Sequence, residues 1–177
     1  MSKLYIEPVS ELAQLPEYQT TYAAGMDIRA CTKWRNNLKT FDYSSAYRDA
    51  QGKIQAETIP VEKDGGFMLM PNMCVLIPTG IKLQPQEDMA ELLLPRSGLG
   101  IQGIILANTV GLIDPDYADE MLVALYNRTK RGMLINHGDR ICQMVMLPIL
   151  RVQPEFVTEL PELYSNREGG FGSSGRG

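Results

Sequence analysis

Short apolar runs broken by proline and glycine constrain this chain more than any other feature. Met73-Cys-Val-Leu-Ile-Pro-Thr-Gly-Ile-Lys-Leu83 and Met89-Ala-Glu-Leu-Leu-Leu94 have the length and texture of strands, and no amphipathic helical period persists anywhere. Leu4 to Val9 reads as a first strand, and Pro8, which has no amide to give a ladder, places it at a sheet edge. Met121 to Asn127, Gly132 to Ile135 and Arg140 to Pro148 continue the series. Such a succession predicts an all-β fold: a β-sandwich, jelly roll or barrel.

Thr32 to Gly66 is different. Its polar clusters break every sustained apolar period, which predicts an inserted surface excursion without regular structure, open to an unknown protein partner. The rest of the 177 residues suffices for one domain with a real core. A net charge of -4 argues against a duplex nucleic-acid surface, which needs clustered cations. The absence of a long apolar run or signal-peptide core predicts a cytoplasmic protein that does not engage a membrane. Cys31, Cys74 and Cys142 are widely spaced, so neither disulfides nor structural zinc is expected.

Chemistry concentrates in Ala107-Asn-Thr-Val-Gly-Leu-Ile-Asp-Pro-Asp-Tyr117. Val110, Leu112 and Ile113 read as strand, and Asn108-Thr109 with Gly111 as the turn of a tight hairpin that exposes main-chain donors and acceptors to a flat ligand. Asp114 precedes Pro115, which rigidifies the strand end and makes the carboxylate a candidate general base. Upstream, Pro95-Arg-Ser-Gly-Leu-Gly100 ends a strand and opens a helical turn, where main-chain amides, Ser97 and Arg96 suit an anion. Met26, Ile28 and Ala30 alternate with Asp27 and Arg29, so Asp27 alone reads as a solvated strand residue. His137, between Asn136 and Gly138, reads as a turn residue. Gln143 interrupts an apolar strand where it could face a ligand. The last segment, Arg167 to Gly177, carries Phe171 on a hinge of glycines beside Ser173 and Ser174, the parts of a phosphate-gripping lid.

In this order AGMDIRA, PRSGLG, NTVGLIDPDY, GDRICQM and GGFGSSG resemble the five motifs of the homotrimeric dUTP pyrophosphatase (dUTPase) family. The resemblance implies a jelly-roll-like β-barrel at 1–166, a threefold trimer, and an arm at 167–177 that closes a neighbour's site. It implies hydrolysis of dUTP to dUMP and pyrophosphate, lowering dUTP and supplying dUMP for thymidylate synthesis. On the matching positions, Asp114 would activate the attacking water. Asn108 and the backbone of Gly111, Leu112 and Ile113 would read uracil, and Tyr117 would pack on deoxyribose. Arg96, Ser97, Gly98 and Gln143 would hold phosphate oxygens, and Arg167, Gly172, Ser173 and Ser174 the distal phosphates beneath Phe171. A Mg²⁺ held by the triphosphate would touch Asp27 through water.

Three features depart from the family pattern. Ala118-Asp119 follows Tyr117 where a glycine usually stands second, the Arg167 to Phe171 spacing is one residue short, and the Thr32 to Gly66 connection is long. Two other readings compete. A dCTP deaminase shares the implied fold but would need machinery for the cytosine amino carbon. A nucleotide-sensing interaction protein would work through the inserted segment.

Overall fold

The computed structural model describes residues 3–42 and 56–160. Alternation builds its strands: in β6 (Met73–Pro78) Val75 and Ile77 are buried on one face, and in β11 (Leu122–Asn127) Val123 and Leu125 do the same. These two pair with each other, and β9 (Ile104–Leu106) pairs on the far side of β11. On the other side of β6 lie β3 (Asn37–Asp42) and then β4 (Glu57–Pro60), completing a five-stranded antiparallel sheet ordered β4-β3-β6-β11-β9.

The second sheet contains β2 (Met26–Arg29), β8 (Met89–Leu94), β10 (Gly111–Ile113) and β13 (Arg140–Pro148), in the order β10-β8-β13-β2. The two sheets share one apolar core, to which Val75, Leu106 and Leu125 contribute from one side and Ile28, Leu93 and Met144 from the other. Two-stranded ribbons add to the ends: β1 (Tyr5–Pro8) with β7 (Ile81–Gln84), and β5 (Phe67–Leu69) with β12 (Met133–Ile135). The fold is jelly-roll-like, but the described ladders do not close into a continuous barrel. The only helix among the described residues is the short α1 (Ser97–Ile101), and none is long or apolar enough to cross a membrane.

The Thr32 to Gly66 segment corrects the expectation of a structureless excursion. Its flanks form the β3–β4 hairpin and extend the five-stranded sheet, with Leu38 in the core. Thr40 hid this, because a polar residue at a core position breaks the apolar pattern. Thr40 is nevertheless fully buried, with its hydroxyl donating to the Cys74 carbonyl at 2.9 Å.

One irregularity lies in β13. Arg140 pairs with Arg29 and Cys142 with Ile28, so a bulge leaves Ile141 as an extra residue. Ile141 and Cys142 are both buried in consequence, and Gln143 falls opposite Asp27 on one side and Leu94 on the other.

Candidate functional site

The Asn108 turn is tight, as its residues suggest, but it is not the expected hairpin. β9 and β10 belong to different sheets, so the turn is a corner between layers and not a hairpin with its own ladder. Val110 lies in the turn, not in a strand. The corner is tight: the Asn108 carbonyl accepts the Val110 amide at 2.6 Å and the Thr109 hydroxyl at 2.6 Å, and Thr109 adopts φ 61°. Gly111 is required by packing, since a Cβ there would meet the Leu93 Cβ at 3.0 Å. Its absence lets β10 close on β8.

Asn108, Gly111, Leu112, Ile113, Asp114 and Tyr117 line one cavity of about 210 Å³. Leu93, Met121 and Leu122, which the sequence did not single out, complete its wall. The cavity suits one heterocycle and sugar face better than a drug-sized molecule, which takes about 300–1,000 Å³. Asp114 is exposed at the end of β10, where its carbonyl accepts the Tyr117 amide at 3.0 Å and folds the chain back toward the cavity. Tyr117 is half-exposed, and its hydroxyl donates to the Glu120 carbonyl at 3.2 Å.

A second cluster forms where β2, β13 and the end of β8 meet. Asp27 is buried, not solvated as its strand pattern suggested. Its Oδ1 accepts Arg96 Nε at 3.0 Å and its Oδ2 accepts Arg140 Nη1 at 3.1 Å. Arg96 Nη1 also donates to the Arg140 carbonyl at 3.3 Å, and Arg140 Nη1 to Gln19 Oε1 at 2.9 Å. Two guanidiniums around one carboxylate leave a net positive cluster whose cations are held in place. Arg140 is a residue that sequence reasoning missed, although it stands three residues before Gln143 in the same motif.

Ser97 and Gly98 open α1 beside this cluster, both exposed. A Cβ on Gly98 would meet nothing within 4 Å, so packing within the chain does not demand the glycine. Gln143 is half-buried, in register with both Asp27 and Leu94. Among the described residues, no three His, Cys, Asp or Glu side chains gather into a metal site. With both Asp27 oxygens already taken by arginines, the described residues form no cage for a metal ion. Arg167, Phe171, Gly172, Ser173 and Ser174 lie outside the described residues.

The model of the dUTPase family matches residues 64–175. This chain belongs to the dUTPase family. The chain is 40% identical over 164 residues to the deoxyuridine 5'-triphosphate nucleotidohydrolase of Coxiella burnetii strain RSA 331, covering 92% of this chain and 87% of that protein. In fold it is similar to the dUTPase of Staphylococcus bacteriophage 80alpha with dUPNHPP, with a TM-score of 0.69 and 21% identity, covering 99% of this chain and 100% of that one. It is also similar to a mutant dUTPase of phage phi11 of S. aureus described for its coordination of a structural Mg(II) ion, with a TM-score of 0.66 and 20% identity, covering 90% and 99%.

Proposed function

We propose that this dUTPase chain hydrolyses dUTP to dUMP and pyrophosphate, with Asp114 as the general base. The observation that carries the reading is the single cavity that gathers Asn108, Gly111, Ile113, Asp114 and Tyr117. Fixed main-chain donors and acceptors at the Asn108 corner and along β10 read the uracil edge, and a wrong base would leave buried polar groups unpaired. Tyr117 packs on the deoxyribose, where a ribose 2′-hydroxyl would collide. Asp114 takes a proton from water, the water oxygen attacks the α-phosphorus, and pyrophosphate leaves.

Arg96, Ser97, Gly98 and Gln143 hold phosphate oxygens, with Asp27 and Arg140 fixing Arg96. A Mg²⁺ bound to the triphosphate, touching Asp27 through water, would supply charge neutralisation; its reluctance to dehydrate suits such a contact.

The two clusters lie at opposite ends of one strand. Ile113 pairs with Glu91, which sets Asp114 level with Ala90, whereas Arg96 follows the other end of β8. Six residues at about 3.3 Å each give a separation of about 20 Å, too far for both to serve one α-phosphorus. This supports a site completed by a second copy, in a homotrimer. Beyond β13 the chain leaves Leu150, Val152 and Phe156 exposed, Phe156 fully so, as a segment that packs on a neighbour would. Residues 167–177 then form the arm that closes that neighbour's site over 1–166, and the setting is cytoplasmic.

The test is pyrophosphate release across dUTP, dTTP, dCTP and UTP. Turnover confined to dUTP is expected. Ammonia release from dCTP would instead support a deaminase, and binding of dUTP without turnover a nucleotide sensor.

A further inference from the structure

Tyr117 borders several cavities, two of which lie on either side of the Glu120 contact. One is the pocket that contains Asp114; the other, of about 400 Å³, has a wall built by the inserted segment, with Arg35 and Lys39 lining it beside Asp119, Glu120 and Leu122. Because the Tyr117 hydroxyl donates to the Glu120 carbonyl, the position of Glu120 bears on the position of the ring. The Glu120 side chain is 11% exposed and is held from two directions. Its Oε1 accepts the Gly80 amide at 2.8 Å, and its Oε2 accepts the Arg35 guanidinium. Arg35 is itself fixed: its guanidinium carbon lies 3.8 Å from the centre of the Trp34 ring, and Trp34 Nε1 donates to the Cys31 carbonyl at 2.9 Å.

We propose that Arg35 is a positioning residue for Tyr117, so that the root of the insertion, acting through Glu120, helps set the choice of deoxyribose over ribose. The proposal rests on the reading of Tyr117 as the sugar-facing residue. Without Arg35 the Glu120 carboxylate keeps one amide donor in a place nearly closed to water, and an uncompensated charge there relaxes toward solvent. Its main-chain carbonyl moves with it and releases the Tyr117 hydroxyl. A looser ring fills the 2′ position less firmly, which favours UTP more than it harms dUTP. Asp119, at the position where the family usually has glycine, lines the same cavity as Lys39, so the local departure and the insertion meet at this wall.

The experiment measures kcat/KM for UTP and dUTP in the full chain and in Arg35→Ala, Arg35→Gln, Arg35→Lys and Tyr117→Ala. Arg35→Ala and Arg35→Gln are expected to raise the UTP-to-dUTP ratio by up to roughly tenfold, the lower edge of what direct pocket contacts carry. Arg35→Lys, which returns the charge, should bring the ratio back toward the parent. If Arg35→Ala does not fold, Arg35→Gln and Arg35→Lys carry the comparison. If Tyr117→Ala raises the ratio and the neutral Arg35 variants lower both rates in proportion or leave them alone, the proposal is overturned while the role of Tyr117 stands. An unchanged ratio in Tyr117→Ala removes the sugar-facing reading itself, and Arg35 with it.

Discussion

Ile113 and Glu91 are register partners across the β10–β8 ladder, which places a carboxyl closed to water one residue from Asp114. Among the buried polar residues, Thr32, Thr40, Thr79 and Asn127 donate to main-chain carbonyls and Asp27 is paired. Glu91 differs: neither of its oxygens has a hydrogen-bond partner among the described residues. Burial pushes its pKa up to about 7, opposed only by its own main chain.

Glu91 therefore makes stability depend on pH. The unfolded residue ionises near 4.5 and the folded one near 7. Stability is fully present below the first value, falls as pH rises toward the second, and is lower above it by at most about 3 kcal/mol. Glu91→Gln should raise the melting temperature at pH 8 and do little at pH 4.5. Equal shifts at both pH values would mean that the carboxyl is not the source.

Asp27→Asn should weaken both the fold and the phosphate cluster. It leaves Arg96 and Arg140 without the anion that they share, and removing one partner of a buried pair costs about 3–5 kcal/mol. Denaturant unfolding measures the first effect, and a raised KM for dUTP the second. An unchanged KM would separate Arg96 from the phosphates.

Asp114→Asn keeps the shape of the side chain and removes its basicity. Turnover should fall by about 10²- to 10⁴-fold, the usual contribution of a general base, with dUTP binding by calorimetry largely retained. Turnover within a few-fold of the parent would show that another group activates the water.

His137 is more than a turn residue. Its Nδ1 accepts the Thr32 amide at 3.2 Å at the root of the insertion, which requires the neutral ring. Burial, with a smaller effect from the Lys33 charge, lowers its pKa below the ordinary 6.5. Stability from this contact is present above pH 6.5 and is lost as pH falls through the depressed value. His137→Gln should flatten that acid limb in unfolding measured from pH 7 to pH 5, and a limb of unchanged slope would place the titration elsewhere.

Removing the residues after Asn166 should leave fold and assembly intact, by circular dichroism and light scattering, while turnover falls severely. The arm's contacts are to ligand on this reading, and closure both excludes water and completes the cations around the reacting phosphate. Full kcat in the truncated protein would reduce the arm to an ordinary tail.

The strands of mainly apolar texture were legible in the sequence: β8 and β13 run from Met89 to Leu94 and from Arg140 to Pro148, as their residues predict. So was the group around Asp114, because its members are neighbours in sequence. What stayed hidden depends on long-range partners. Alternation in β2 shows which face Asp27 takes but not that arginines 69 and 113 residues away will bury it. Thr40 reads as surface until the Cys74 carbonyl is in place, and Arg35 reads as a solvated charge until Glu120 is. The residues around Asn108 make a tight turn as their types suggest, but which sheet each flanking strand joins is decided by β8 and β11.

The bulge at Ile141 governs how a chain of this kind can change length. Ile141 stands outside the ladder, so its loss would leave Cys142 opposite Ile28 and Gln143 opposite Asp27, whereas a residue gained between Cys142 and Gln143 would shift Gln143 out of register with Asp27. Length changes of one residue within the paired run from Cys142 to Pro148 are thus disruptive, whereas a hairpin at the outer edge of β6 shifts no other strand's phase. The sheet's margin, at Thr32 to Gly66, is therefore where the ladder tolerates added length, and the paired run that carries Gln143 is where it does not.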